Sequence, residues 1–143
     1  MTLTRFTDYA LRVLIYVGLQ GGHRVTIREI SDAYGISRNH LMKVVSNLTR
    51  LGYLEARRGP GGGISLARTA SAISVADVVN DMEEDMHLVT CFRKDGICTI
   101  DPACHLKIAL AKALSAFIQT LESYSLQDLL QPQVELKRLL KIS

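Results

Sequence analysis

Apolar residues recur at three- and four-residue intervals from Thr4 to Leu19, where Phe6, Ala10, Val13, Leu14 and Val17 share one side, and Gly21-Gly22 follows. This period predicts an amphipathic helix that the glycines end. Thr26-Ile-Arg-Glu29 has the form of a capping box and predicts a short helix to about Ala33, terminated by Tyr34-Gly35. Ser37 can then cap a further helix over Arg38–Leu51. Leu41, Val44, Val45, Leu48 and Leu51 occupy its inner face, while Asn39, Lys43, Asn47 and Arg50 form the opposite stripe. Two short helices joined through Gly35-Ile36-Ser37, the second with amide and basic side chains outward, meet the needs of a helix-turn-helix. Its second helix must enter a major groove that offers donors and acceptors.

The pattern then changes period. Tyr53-Leu-Glu-Ala-Arg57-Arg58 and Ile64-Ser-Leu-Ala-Arg68 read as short strands on either side of Gly59-Pro60-Gly61-Gly62-Gly63, a β-hairpin. A hairpin after a helix-turn-helix is a wing, and a glycine-rich tip with arginines at its base can lie against phosphates or in a minor groove. A phosphate-cradling nucleotide loop is the rival reading of the glycines; no helix pattern opens after Gly63 and no Gly-Lys-Ser/Thr follows.

Beyond the wing, Ser74-Val-Ala-Asp77 opens a helix to about Glu84. Asp101 as N-cap and Pro102 at the first helical position start a long helix to about Tyr124, which places Cys104 in its first turn. A stripe of Leu106, Leu110, Leu114, Phe117 and Leu121 runs along it, and alanines 109, 111, 113 and 116 leave room for close approach. Core packing within the chain would explain such a stripe. The helix is long for so small a protein, however, and helix-turn-helix proteins commonly act as two-fold dimers, so the stripe is read as a homodimer interface. The fold class is therefore mainly α with a small β-hairpin wing. Residues 1–70 form a winged helix-turn-helix DNA-binding domain, and residues 71–143 a sensor loop and dimerisation helix.

Charge sharpens this picture. The net charge is only +3, but residues 1–70 hold ten Lys and Arg against four Asp and Glu, while residues 71–143 hold seven against ten. A basic first half facing an acidic second half points to a polyanion as the partner of the first, here double-stranded operator DNA. The helical phase nominates Arg38, Asn39, His40 and Lys43 for base contacts, with Arg57, Arg58 and Gly62 at the wing. No apolar run suits a membrane span and no signal-peptide pattern is visible, so a cytoplasmic protein without membrane contact is expected.

All three cysteines, Cys91, Cys98 and Cys104, fall within fourteen residues. Reduced thiols and an odd count argue against a structural disulfide. Intervals of six and five residues differ from the two that set a thiolate pair on one small ion, and suggest a loop wrapped around something larger, such as an iron–sulfur cluster. Zinc is the alternative, with His105 as the nearest further donor, although a residue adjacent to Cys104 cannot easily reach the same ion. Inert buried cysteine does not predict three in one loop containing Gly96 and Pro102. Asp8 and Arg12, spaced i and i+4, would by themselves make a surface ion pair.

The opening Leu3-Thr-Arg-Phe-Thr-Asp-Tyr-Ala-Leu-Arg-Val-Leu, the run Ile36-Ser-Arg-Asn-His-Leu-Met-Lys-Val-Val, the wing Arg58-Gly-Pro-Gly-Gly-Gly and the three-cysteine loop together resemble the NsrR-type nitric-oxide-responsive repressors. These are relatives of the iron–sulfur regulator IscR, and the resemblance covers nearly the whole chain. It implies a winged-helix homodimer with crossing long helices, each cluster held by Cys91, Cys98 and Cys104 of one subunit. It also implies that Asp8 of the partner fills the remaining position, in place of a mere surface pair with Arg12. The cluster implied is 4Fe-4S, with 2Fe-2S as the other form.

One departure is informative. IscR-like proteins place a histidine three residues after the last cysteine, where this chain has Lys107, which disfavours an IscR-like function. The resemblance then implies that an intact cluster bridges the subunits, and that nitric oxide breaks the bridge and releases the repressor from DNA. No enzymatic activity is expected. The competing functions are an iron- or redox-sensing winged-helix regulator using the same cysteines, an electron-transfer enzyme, and a zinc-bound structural dimer module.

Overall fold

The computed structural model describes residues 1–143. Helix α1 (Arg5–Gly18) begins where Thr4 accepts the Thr7 amide with its hydroxyl at 3.3 Å. It buries Ala10, Val13, Leu14 and Val17. Helix α2 (Ile27–Tyr34) opens on the expected capping box: the Thr26 amide donates to Glu29 Oε2 at 2.6 Å, and the Glu29 amide donates to Thr26 Oγ1 at 3.2 Å. Gly35, at φ 68°, closes it. Ser37 caps α3 (Arg38–Arg50), and Ser31 Oγ donates to Ile36 O at 2.6 Å, which fixes the turn between the two helices.

The wing is an antiparallel pair, β1 (Leu54–Arg57) and β2 (Gly63–Leu66), in register from Leu54 opposite Leu66 to Arg57 opposite Gly63. Val25 joins its edge, exchanging backbone hydrogen bonds of 2.9 and 2.7 Å with Ile64. The hairpin is thereby stitched to the segment that enters α2. Such support matters because an isolated two-stranded hairpin is barely stable in water.

Helix α4 (Val75–Met82) is capped by Ser74 and stops two residues before the predicted Glu84. Glu83 turns to extended backbone, and its carboxylate accepts the Thr4 amide at 2.6 Å and the Thr4 hydroxyl at 3.0 Å. Helix α5 (His105–Glu122) starts later than expected. Asp101-Pro102-Ala103 forms a separate turn of 3₁₀ helix, and Cys104 itself is the N-cap, its sulfur accepting the Lys107 amide at 3.4 Å. Asp101 does not cap because its carboxylate is engaged by the Lys107 ammonium at 2.6 Å.

The sequence patterns did not single out α6 (Leu126–Leu129) or α7 (Gln133–Leu139). They bring the chain back to α1: Leu126 donates its amide to Ile73 O at 2.8 Å, and Leu130 packs against Gly18. One continuous core joins Leu14, Leu41 and Leu48 to Tyr53, Ile64, Ile73, Val78, Leu126 and Leu130, so residues on both sides of position 70 share it. Truncating any of its leucines to alanine would cost about 2–5 kcal/mol. No residue of α5 is buried. Helix α5 packs on α4, and Leu110, Leu114, Phe117 and Leu121 are half-covered while Leu106 remains 64% exposed. No helix is long and apolar enough to cross a membrane.

Candidate DNA-binding face and cysteine loop

Burial of Leu41, Val44, Val45 and Leu48 turns the opposite face of α3 to solvent. Arg38, Asn39, His40 and Lys43 all lie exposed on it, clustered in its first two turns. His40 also faces α1, its ring 6.2 Å from that of Tyr9. Asn47 departs from the predicted outward stripe. It is half-buried, its Nδ2 lies 3.4 Å from Met82 Sδ, and its Oδ1 accepts from Arg50 at 2.5 Å. The last turn of α3 is thus committed to α4, because the core-facing arc of this helix is wider than its leucines and valines alone indicate.

At the wing, Arg57 and Arg58 are exposed at the end of β1. Gly62 donates its amide to Gly59 O at 2.9 Å, and a Cβ there would collide with the Arg57 and Gly59 carbonyls. Its role is to let the tip fold back on itself, which leaves a backbone surface with no side chain in the way of a phosphate.

The cysteine loop spans the interval between α4 and α5. Cys91 sits half-buried in a 3₁₀ turn (Thr90–Phe92), Cys98 is exposed, and Cys104 is half-buried at the head of α5; all three are free thiols. Gly96 is packed so closely that a Cβ would strike Thr90 O and Cys91 Cα. The entry to the loop is tied by Asp85, which accepts from the His87 amide at 2.7 Å and from Arg93 at 2.5 Å. Those bonds, the His87 amide foremost, hold its carboxyl below the usual range. Lys107 is pushed above its ordinary value, chiefly by its bond to Asp101 and additionally by the charges of Cys91 and Cys104. Lys107 is thus tied at both ends, its amide to the Cys104 sulfur and its ammonium to Asp101. A groove of about 890 Å³ runs beside Cys91, lined also by Phe92, Lys107, Ile108, Leu114 and Ile118.

No three Cys, His, Asp or Glu side chains converge closely enough to hold a single metal ion. In kind the donors nonetheless fit an iron–sulfur cluster, whose irons take thiolates: the loop supplies three unpaired sulfurs that no disulfide consumes, one short of the four ligands such a cluster takes. Asp8 sits on α1 in an ion pair with Arg12, 2.9 Å long, so the elementary surface-pair reading of these two residues is realised within the single chain. The sequence patterns placed Gly96 in the cysteine loop but missed its close packing, and they missed the Lys107–Asp101 pair. That Gly96 lies between Cys91 and Cys98 was visible, but the closeness of its backbone to Thr90 and Cys91 was not.

Residues 3–132, which span α1–α3, the wing and the long helix, match a known family model described as Rrf2, iron-dependent transcriptional regulator. The chain belongs to the Rrf2 family. It is 44% identical over 142 residues to the HTH-type transcriptional regulator NsrR of Bacillus licheniformis, covering 98% of this chain and 99% of that protein. Among solved structures it is similar to IscR of T. potens, with a TM-score of 0.73 and 20% identity over 92% of this chain and 87% of that one. It is also similar to CymR, the global cysteine regulator of B. subtilis, with a TM-score of 0.72 and 23% identity over 90% and 95% of the two chains. The Rrf2 relatives are transcriptional regulators, not enzymes, and the two solved folds confirm the winged-helix architecture.

Proposed function

We propose that this Rrf2 protein is a homodimeric repressor that binds operator DNA and releases it in response to nitric oxide. Cys91, Cys98 and Cys104 would hold an iron–sulfur cluster, 4Fe-4S in form, completed by Asp8 of the other subunit. The observation that carries the reading is the placement of three free thiols, the only ones in the chain, on one loop that links the wing-bearing half to α5. Similarity to NsrR of B. licheniformis over nearly the full length of both chains supports the signal.

When bound, such a cluster supplies an iron whose carboxylate ligand is harder than thiolate and so the more easily displaced by a small ligand. The chain's own residues do the rest. Leu106, Leu110, Leu114, Phe117 and Leu121, which the single chain leaves unburied, would meet their copies across a two-fold axis. Arg38, Asn39, His40 and Lys43 would read base edges, while Arg57, Arg58 and the bare backbone at Gly62 would hold phosphates. Asp8 would tie each α1 to the other subunit and so keep the two α3 helices at the spacing of successive major grooves. Its release uncouples them, and affinity falls because the second half-site is no longer engaged in register. The reduced thiols this requires suit the cytoplasm.

Anaerobic purification followed by a visible spectrum and operator binding tests the reading. A brown dimer absorbing near about 400 nm, as thiolate-bound clusters do, that loses its operator on exposure to nitric oxide is the expected result. Release by peroxide or iron depletion, with nitric oxide inert, would instead identify an iron or redox sensor. A colourless zinc protein would remove both.

A further inference from the structure

Tyr53 is the last of the three residues between the end of α3 and the start of β1, the two elements proposed above to face DNA. Its backbone is fixed from both directions: its amide donates to Leu48 O at 2.9 Å, and its carbonyl accepts the Ala67 amide at 3.0 Å. Its ring is 1% exposed. Arg68 lies over one face of that ring, 4.3 Å from the centroid, and donates to the Gly52 and Leu51 carbonyls at 3.0 and 3.3 Å, which closes the C-terminus of α3. The hydroxyl, at the far end of a buried ring, needs a partner. It donates to Asp81 Oδ2 at 2.5 Å.

Asp81 comes from outside the DNA-binding half. It lies in the last turn of α4, two residues before the chain turns out of the helix towards the cysteine loop. Its neighbour Met82 receives Asn47 from α3, so one turn of α4 touches both the recognition helix and the hinge of the wing. The Tyr53–Asp81 bond is the connection between that turn and the hinge, and Asp81 is otherwise exposed, with no core to hold it. A bond from a buried rigid ring to a carboxylate on a separate element transmits small displacements of that element, because the ring cannot shift without disturbing Arg68 and the helix end it closes.

We propose that Asp81 and Tyr53 are positioning residues for DNA binding: Asp81, on the element leading into the cysteine loop, sets the angle of the wing against α3 through the Tyr53 hydroxyl. This rests on the sensing reading above, and it assigns to the loop a route to the wing besides that through Asp8 and the partner subunit. Tyr53→Phe tests it with least disturbance, since the ring and its Arg68 contact remain. Asp81→Ala, at an exposed position, removes the same bond from the other side.

Both variants are expected to keep the fold and cluster of the native protein. Operator affinity of the cluster-loaded form should fall about tenfold, the scale of one bond to a charged group, while that of the cluster-free form stays near native. In the cluster-free proteins, amides of β1 and β2 should exchange with solvent faster than in the native chain. A native loaded-to-free affinity ratio in both variants overturns the proposal, whatever the exchange rates. If the native protein itself binds operator equally with and without its cluster, the sensing reading fails. Wing exchange in Asp81→Ala then decides alone whether Asp81 positions the wing, and unchanged exchange there overturns that too.

Discussion

Arg12 grips both oxygens of Asp8: its Nε donates to Oδ1 at 3.1 Å, and a terminal nitrogen lies 2.9 Å from Oδ2. Arg12 is itself placed, 6.0 Å from the Tyr9 ring centroid and 5.8 Å from that of Tyr34, whose hydroxyl donates to Arg12 O at 3.1 Å. The carboxylate is therefore presented at a defined point on α1, and to serve a partner subunit it needs to free only one oxygen from the fork.

Asp8→Ala separates holding from linking. Both side chains of the pair are nearly half exposed, at 45% and 43%, so removing the interaction should cost only about 0.2–1 kcal/mol of stability. Three thiolates should still retain a cluster, while operator affinity falls because the subunits are no longer tied. Full, nitric-oxide-sensitive operator binding with an unchanged spectrum would reduce Asp8 to a surface partner of Arg12.

Reading and holding should respond differently to mutation. Truncating Arg38 or Lys43, exposed on the first two turns of α3, should cost about 1–3 kcal/mol on the specific operator and little on random DNA. Neutralising Arg57 or Arg58 should weaken both and lower the salt slope by about one unit per lost phosphate contact. Titrations on the two DNAs over a range of salt check this. Equal losses from every substitution would mean that α3 does not read sequence.

Gly96→Ala probes the closure of the cysteine turn. The added methyl meets Thr90 O and Cys91 Cα, backbone atoms that cannot swing aside as a side chain would. The turn carrying Cys91 must open, and the variant should bind iron and sulfide in reduced yield while keeping the melting temperature of the cluster-free native protein. Equal cluster yield would show that the loop rearranges around Gly96 on loading.

Much of the fold was legible because it is local. The capping box at Thr26, the Gly35 stop and the period of Leu41, Val44, Val45 and Leu48 act within a turn or two of chain, and each reappears in the structure. What the patterns did not reveal is set by distant neighbours. Asn47 looks like a groove-facing amide until Met82 arrives beside it. Asp101 has the form of an N-cap but is bound by Lys107, which leaves the cap to Cys104. Helices α6 and α7 are only four and seven residues long, too short for a period to show; α6 is held by Ile73 and Gly18 from elsewhere in the chain, and Leu136 of α7 packs against the core. The candidate ligands were legible as residue types; their distances from one another depend on a loop with few apolar anchors.

Acid should loosen the start of α1. Burial raises the Glu83 carboxyl, but the bonds it accepts from Thr7 and Thr4 outweigh this and hold it below its ordinary value of 4.5. A carboxyl depressed in the folded state stabilises fully above its unfolded value, and that contribution is lost as pH falls through the lower folded value. Below about pH 4.5 the Thr4 amide resonance should therefore move with a single titration step, and Glu83→Gln should abolish the step. A Thr4 resonance that is flat with pH in the native protein would show that the contact does not form in solution.

The last prediction concerns order in the sensor loop. Between Phe92 and Ile100 the backbone bonds are all to near neighbours, such as Arg93 to Thr90 and Gly96 to Arg93, and Ile97 is 98% exposed. Fixing each residue costs roughly 1–2 kcal/mol of conformational entropy, and so little burial offsets few of them. A ligand set drawn from Cys91, Cys98 and Cys104 would supply the missing constraint. The cluster-free protein is therefore expected to remain a folded dimer through Leu106, Leu110, Leu114, Phe117 and Leu121, while residues 92–100 exchange amides and are cut by protease far faster than in the loaded form, with operator affinity falling in parallel. An equally protected loop and undiminished DNA binding without the cluster would show that the cysteines do not govern the DNA-binding half.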